Sequence, residues 1–274
     1  GEGTRHLAAK AAERALAAAG VAPEELDIII LGTSSPDRNY PSDACSVQAA
    51  IGAVNAVAFD ISAACAGFIF AMNIVEGFFK AGIYKTALII GAETLSKVTD
   101  WSDRGTCVLF GDGAGAAVLK AEETGIIDMM MGADGTKGDV LACTSRTVGN
   151  FLTGTKPELG FMTMDGQEVF KFAVRKVPES VMELLQRTGT KKEDIKYYVL
   201  HQANERIIEA AARRLKEPME KFPMTIGQFG NTSTASIPLL LNDMIQKNML
   251  KRGDKIIMSG FGAGMTWGAV LMEW

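Results

Sequence analysis

Two kinds of hydrophobic pattern alternate along this chain. Apolar residues recur at helical spacing over 3–19, 43–51, 66–81, 166–188, 204–216 and 234–249, and each stretch predicts a helix. Between them lie short β-branched and apolar runs that predict strands: LDIIILGTSS (26–35), VAFDISAA (57–64), TALIIGAET (86–94) and GAAVLK (115–120), then IKYYVLHQ (195–202), KIIMSGF (255–261) and GAVLMEW (268–274). The chain's 29 glycines gather at the junctions GTSS, GDGAGA, GQFGNTS and SGFGAG, which read as turns. The alternation predicts an α/β protein.

The pattern also repeats. AAAGVAPEELDIIILG (17–32) aligns without gaps on LQRTGTKKEDIKYYVLH (185–201): Gly20 falls on Gly189, Leu26 on Ile195, Leu31 on Leu200 and Gly32 on His201, always 169 residues apart. Each copy reads as a helix end, a glycine cap, an acidic loop and a buried strand. KAGIYKTALIIG (80–91) matches KNMLKRGDKIIMSG (247–260) at a similar spacing, and GAGAAVLK (113–120) matches the chemistry of GMTWGAVLME at a slightly shorter one. A spacing held over most of each half predicts a duplicated α/β unit. The expected organisation is a first half over 1–122, a connection with pocket loops over 123–160 and a second half over 161–274. FMTMDG (161–166) reads as a strand opening the second half, whereas the first half opens directly on its helix at Gly1. A sheet without its opening strand exposes an edge, so residues are expected ahead of this N-terminus.

Composition narrows the function. With 47% hydrophobic and 22% charged residues among 274, the chain can bury a large core in one or two domains. A net charge of −4 disfavours nucleic acid as a partner. No stretch resembles a signal peptide, and none approaches the roughly 18–20 apolar residues of a membrane span. Four cysteines without a CxxC pair predict reduced thiols in the cytoplasm, and two histidines leave no metal site of ordinary zinc spacing.

The candidate chemistry sits at the turns. Cys65 ends VAFDISAA and opens AGFIFAMNIVEGFF, flanked by Ala63, Ala64, Ala66 and Gly67. A thiol at a helix start faces unpaired N–H groups and the positive end of the dipole, which favour thiolate; the competing reading is a small buried hydrophobe. Cys45, Cys107 and Cys143 lack this setting. His201 ends the strand YYVLH where the first half has glycine, so the fold itself does not require that side chain. Asn231 lies in GQFGNTSTASIP, another glycine turn feeding a helix. Cysteine, histidine and asparagine at three strand-to-helix junctions suit acyl transfer, which needs a nucleophile and donors for a developing negative oxygen. GDGAGAA (111–117) is not GxGxxG and leads into a strand, so it reads as glycine-lined backbone beside the site rather than a dinucleotide loop.

DISAACAGF (60–68), DRGTCVLFGDGAGAAVL (103–119), LHQANERI (200–207), FGNTSTASIP (229–238) and GFGAGMTWGAVL (260–271) together resemble beta-ketoacyl-acyl-carrier-protein synthase III, across essentially the whole chain. The resemblance implies a thiolase-like fold of two similar halves in five α-β-α-β-α layers, a homodimer, and a decarboxylating condensation that starts type II fatty acid synthesis. It implies that Cys65 takes the acyl group from acyl-CoA, that His201 and Asn231 bind the malonyl thioester carbonyl, and that the backbone N–H groups of Cys65 and Ala263 hold the oxyanion. Family members often have glycine where Ala263 stands; alanine supplies the same N–H if no positive φ is needed there. Phe261 would shield the pocket, Arg104 contact the CoA nucleotide, Asn204 the pantetheine, and Tyr40 close the partner subunit's acyl pocket. An acidic carrier protein would dock on Gln202, Arg206, Lys171, Arg213 and Arg214. No cofactor, metal, nucleic acid or membrane partner is implied. A synthase of secondary metabolism with the same three residues, and a non-catalytic partner subunit, are the alternatives.

Overall fold

The computed structural model describes residues 2–274; the start of the first expected half, at Gly1, lies outside the described residues. In chain order the elements are α1 (Thr4–Ala19), β1 (Ile28–Gly32), α2 (Asp43–Ile51), β2 (Val57–Ile61), α3 (Gly67–Lys80), β3 (Thr86–Glu93), β4 (Gly113–Lys120) and β5 (Ile126–Ala133). They continue with β6 (Leu141–Cys143), β7 (Met162–Met164), α4 (Gly166–Thr188), β8 (Ile195–Leu200), α5 (Glu205–Leu215), α6 (Ile226–Phe229), α7 (Ser236–Gln246), β9 (Lys255–Gly262) and β10 (Thr266–Glu273).

Two four-stranded sheets carry the fold, in the orders β2-β1-β3-β4 and β5-β10-β9-β8. The first three strands of one sheet are parallel and β4 runs against β3; in the other, β8 and β9 are parallel while β10 and β5 are antiparallel. Both faces of each sheet are covered, which explains why β1 reads as an unbroken apolar run in place of an alternating one. The alternation survives as a sorting of side chains between layers. Ile29, Leu31, Leu88 and Ile90 pack outward on α1 and α2. Ile28, Ile30, Ala87 and Ile89 face inward, where α3 and α7 lie between the two sheets against Val199, Ile256, Met258 and Val270. Tyr198, Leu200, Ile257 and Leu271 face outward beneath α4 and α5. Five layers result, α-β-α-β-α, with the central helix pair buried from both sides.

The repeat is visible in local backbone. Gly20 and Gly189 cap α1 and α4 at φ 63° and 67°. Short 3-10 turns follow at Pro23–Glu25 and Lys192–Asp194, and again at Ala64–Ala66 and Ser233–Ala235. All of these pairs lie 169 residues apart.

α2 and α4 occupy the expected spans, and α7 is shorter than 234–249. Its first residues form a 3-10 turn instead, and Asn248, at φ 55°, ends it. One expectation is corrected. FMTMDG does not open the second sheet: Met162–Met164 pairs with Leu141–Cys143 in a separate two-stranded sheet. The outer strand beside β10 is β5, from within the expected connection. Its sequence, IIDMMMGA, is half-buried and poor in β-branched residues, so it gave a weak strand signal. Among the described residues no helix is long and apolar enough to cross a membrane.

Candidate active site

Cys65 lies in the Ala64–Ala66 turn between β2 and α3, and its side chain is buried. Ala64 adopts φ 45°, a left-handed conformation that costs an alanine on the order of 1–3 kcal/mol. Tertiary hydrogen bonds hold the strain: the Thr234 hydroxyl donates to the Ala64 carbonyl at 2.8 Å and the Thr266 hydroxyl to the Ala63 carbonyl at 2.9 Å. Strand β9 passes so close that a Cβ on Gly262 would sit 2.5 Å from the Cys65 nitrogen, so only glycine fits there. Neither the Cys65 nor the Ala263 N–H finds a backbone acceptor among the described residues, and Ala263 has no positive φ, so alanine is tolerated.

The expectation of a thiolate meets a stronger opposing effect. Burial pushes the Cys65 thiol up to about 12, only partly offset by the Ser233 side chain. The helix start therefore does not by itself ionise the thiol; its N–H groups are available to charge that develops during reaction.

His201 follows β8 directly, with its backbone N–H donating to the Ser259 carbonyl at 2.8 Å and its ring edge-on to Phe261, 5.4 Å between centroids. Burial lowers its pKa to about 3, so the ring is neutral at pH 7. Its single ring proton can be located by counting. Nδ1 lies 2.7 Å from Ser236 Oγ, which also accepts the Gln202 N–H at 3.3 Å. Among the described residues Nδ1 is the one acceptor bonded to the Ser236 hydroxyl, so Nδ1 accepts and Nε2 carries the hydrogen. Asn231 is fixed through its backbone, which bonds Leu109 and Gly111 at 2.9 Å each; its Oδ1 accepts the Ser233 N–H at 2.9 Å, leaving the NH2 to donate. GDGAGAA thus supports the site with close-packed backbone: a Cβ on Gly111 would meet the Phe229 carbonyl at 2.3 Å.

The remaining expected residues divide. Phe261 is buried beside His201. Arg104 is exposed on the turn that Asp103 caps. Asn204 caps α5, its Oδ1 accepting from the Arg206 N–H. Tyr40 is 86% exposed. Lys171, Arg206, Arg213 and Arg214 are exposed on the neighbouring helices α4 and α5. Lys171 pairs with Glu168, Arg213 with Glu209 and Arg214 with Glu179, while Arg206 has no acidic partner within 4.0 Å among the described residues. Gln202 is a correction. It is 1% exposed, its Nε2 donates to the Leu200 carbonyl and its Oε1 accepts the Thr225 N–H, both at 2.8 Å, so it braces the histidine loop and cannot meet a docking protein.

Sequence reasoning missed Glu93, Ser233, Thr234 and Ser236, the groups that link these turns. One signal was present: Glu93 stands 169 residues before Gly262, so an acid at the end of one buried strand matches a glycine at the end of its repeat.

A duplicated five-layer α/β protein with a cysteine on the strand-to-helix turn of one half, and a histidine and asparagine from the other, is a thiolase-fold enzyme. Models of 3-oxoacyl-[acyl-carrier-protein (ACP)] synthase III match residues 59–135, and those of its C-terminal region match residues 185–274. A Clostridium acetobutylicum beta-ketoacyl-[acyl-carrier-protein] synthase III is 50% identical over 100% of this chain and 85% of that protein. The crystal structure of 3-oxoacyl-[acyl-carrier-protein] synthase III from Aquifex aeolicus VF5 superposes with a TM-score of 0.92 at 45% identity, over 100% of this chain and 85% of that one. The priming beta-ketosynthase of the R1128 polyketide pathway gives 0.89 at 33% identity, over 99% and 82%. This chain belongs to the beta-ketoacyl-[acyl-carrier-protein] synthase III family.

Proposed function

We propose that this protein condenses an acyl-CoA primer with malonyl-acyl-carrier protein, releasing carbon dioxide and starting fatty acid synthesis. The observation that carries the chemistry is a pair of neutral donors, His201 Nε2–H and the Asn231 NH2, supplied at the junctions packed around the glycine-lined Cys65 turn. In the first half-reaction the Cys65 sulfur attacks the acyl-CoA carbonyl, the CoA sulfur leaves, and the thiol proton ends on it. The Cys65 thiol must give up its proton as it attacks, and burial raises the cost of that step; the helix start and the Cys65 and Ala263 N–H groups offset it by stabilising the negative charge that develops. In the second, His201 and Asn231 donate to the malonyl thioester oxygen. Loss of carbon dioxide leaves an enolate on that oxygen; its carbon attacks acyl-Cys65, the carbon–sulfur bond to Cys65 breaks, the released Cys65 sulfur takes up a proton from water, and the 3-oxoacyl product stays on the carrier. Uncharged donors in a dry pocket favour this step, because they stabilise a new negative charge without holding the malonyl carboxylate in place.

Arg206, exposed on α5 and without an acidic partner among the described residues, is proposed as the contact for the acidic carrier protein. A homodimer is the proposed assembly: β2 has a strand on one side only, and Val57 on it and Tyr40 nearby in sequence are 49% and 86% exposed. The likeness to a priming polyketide synthase supports a second reading in which the same chemistry makes a different starter; the higher identity to the fatty-acid relative favours the first.

His201→Ala and Asn231→Ala separate the two half-reactions. Each is expected to stop decarboxylation of malonyl-carrier protein while acyl-Cys65 still accumulates with acyl-CoA, read as a mass increase on the peptide holding Cys65. Loss of acyl-enzyme in both variants would overturn this division of labour.

A further inference from the structure

Glu93 ends β3 with no exposed surface, and the chemistry above makes no use of it. Its carboxyl collects the Thr33 hydroxyl at 3.2 Å, the Ser34 N–H at 3.0 Å, the Ser35 hydroxyl, and the Ser233 and Thr234 hydroxyls at 3.0 Å each. The last two belong to the Ser233–Ala235 turn of the other half, two and three residues beyond Asn231. Ser233 also donates its backbone N–H to Asn231 Oδ1. Thr234 lies 2.8 Å from the Ala64 carbonyl, in the turn that holds Cys65.

The protons decide how these groups are joined. Ser35 Oγ accepts the Thr94 N–H, so its own hydrogen is free for the carboxyl; Thr33 Oγ1 accepts the Ser35 N–H in the same way. Ser34 and Ser233 also donate. Thr234 has one hydrogen and two acceptors, Ala64 O and Glu93 Oε1. An ionised carboxylate would leave one of those contacts without a proton between two oxygens. A protonated carboxyl satisfies both: Glu93 donates to Thr234, and Thr234 donates to Ala64. Burial pushes the Glu93 pKa up, in the same direction.

We infer that Glu93 is a positioning residue: its carboxylic acid bolts the Ser233–Thr234 turn to the Ala64–Cys65 turn, and so fixes the Asn231 amide and the Cys65 thiol relative to one another. The inference rests on the reading that Asn231 and Cys65 carry the condensation. It explains why an acid stands at Glu93 where the repeat has Gly262: one junction is joined by a side-chain bridge, and at the other the bare backbone of β9 packs directly on the Cys65 turn.

The test compares Glu93→Gln, Glu93→Asp and Glu93→Ala with the parent protein in three measurements: thermal melting, the rate of Cys65 alkylation by iodoacetamide against pH, and kcat and KM for the condensation. Glutamine can donate to Thr234 as the protonated acid does, and is expected to keep kcat within about threefold of the parent. Aspartate withdraws the carboxyl by one methylene and alanine removes it. Both are expected to lower kcat by about tenfold to a hundredfold with KM changed less than about threefold, as misplacement of reacting groups does. Parent-like kcat in a folded Glu93→Asp or Glu93→Ala overturns the inference, and so does a Glu93→Gln variant as impaired as Glu93→Ala. If Glu93→Ala does not melt cooperatively, Glu93→Asp decides. The alkylation profile of Glu93→Gln should match the parent's; a move to lower pH would mean that a negative charge had been removed from beside the thiol, and overturns the protonated bridge. Alkylation needs no condensation activity. Should the parent fail to condense, the functional reading falls, while an unchanged Cys65 alkylation rate in Glu93→Asp still overturns the bridge.

Discussion

The molecule builds the same sharp turn twice and uses it in two ways. Ala64–Cys65 precedes α3 and Ser233–Thr234 precedes α7, with φ of 45° and 50° at the first residue of each pair. Each turn packs on a strand end of the opposite half. Gly260 and Gly262 of β9 lie against Cys65, and Gly91 and Glu93 of β3 lie against Thr234. β8 leads directly into His201, and at the matching place in the repeat β1 ends in Gly32, against Thr234. The turn geometry is common to both, so it does not make a reactive centre. What differs is the facing strand: at Gly262 bare backbone packs against Cys65, whereas at Glu93 a carboxyl meets the second turn with hydrogen bonds.

The largest expected effect comes from the residue that distinguishes the turns. Cys65→Ser should lower acyl transfer by at least about a thousandfold with melting unchanged; condensation at the parental rate would remove the thiol from the mechanism. Gly262→Glu gives the first turn the partner of the second. Its Cβ would lie 2.5 Å from the Cys65 nitrogen, so alkylation of Cys65 should fall by about a hundredfold, and overpacking should destabilise the protein by about 1–3 kcal/mol. The converse is Thr234→Cys in a Cys65→Ser background, which places a thiol on the second turn. It should take no acyl group from acyl-CoA, and a detectable acyl-Cys adduct there would break the comparison.

Titration gives a smaller effect with a definite sign. The His201 pKa is lowered to about 3, below its unfolded value near 6.5, so the unfolded chain takes up a proton first as pH falls. Stability from this group is complete above about 6.5 and is lost on acidification towards 3. His201→Gln should therefore lose about 2–3 kcal/mol less than the parent between pH 7 and 4.5 in urea melts. Cys65 runs the other way. Its pKa is raised to about 12, so its alkylation should keep climbing above pH 9 where an ordinary thiol levels off. Smallest is Arg206→Glu, expected to raise KM for malonyl-carrier protein by several-fold, on the order of 1 kcal/mol, and to leave KM for acyl-CoA alone. Equal effects on both substrates would argue against docking there.

Much of the first turn was legible in the sequence and little of the second. The small residues around Cys65, the histidine ending an apolar strand and the asparagine in a glycine turn are local signals of backbone cleared for chemistry. Glu93 and Ser236 carry no such signal. One is an acid after an apolar strand and the other a serine at a helix start, and each acquires its role only from atoms brought in by the opposite half. Gln202 misled for the same reason: a polar residue in a loop reads as surface until the Leu200 carbonyl and the Thr225 N–H are seen to enclose it. FMTMDG misled because a short strand pattern does not name its partner strand.

The amino-acid pattern by itself determined the α/β alternation, the doubling at a spacing of 169 and the junctions where chemistry could sit, because periodicity, glycine caps and repeat spacing are properties of the local chain. Tertiary structure alone decided that the thiol stays protonated, that the histidine is neutral with its proton on Nε2, and that an unforeseen glutamic acid ties the two turns together. Burial and hydrogen-bond partners set those properties, and both are supplied by residues far away in the chain.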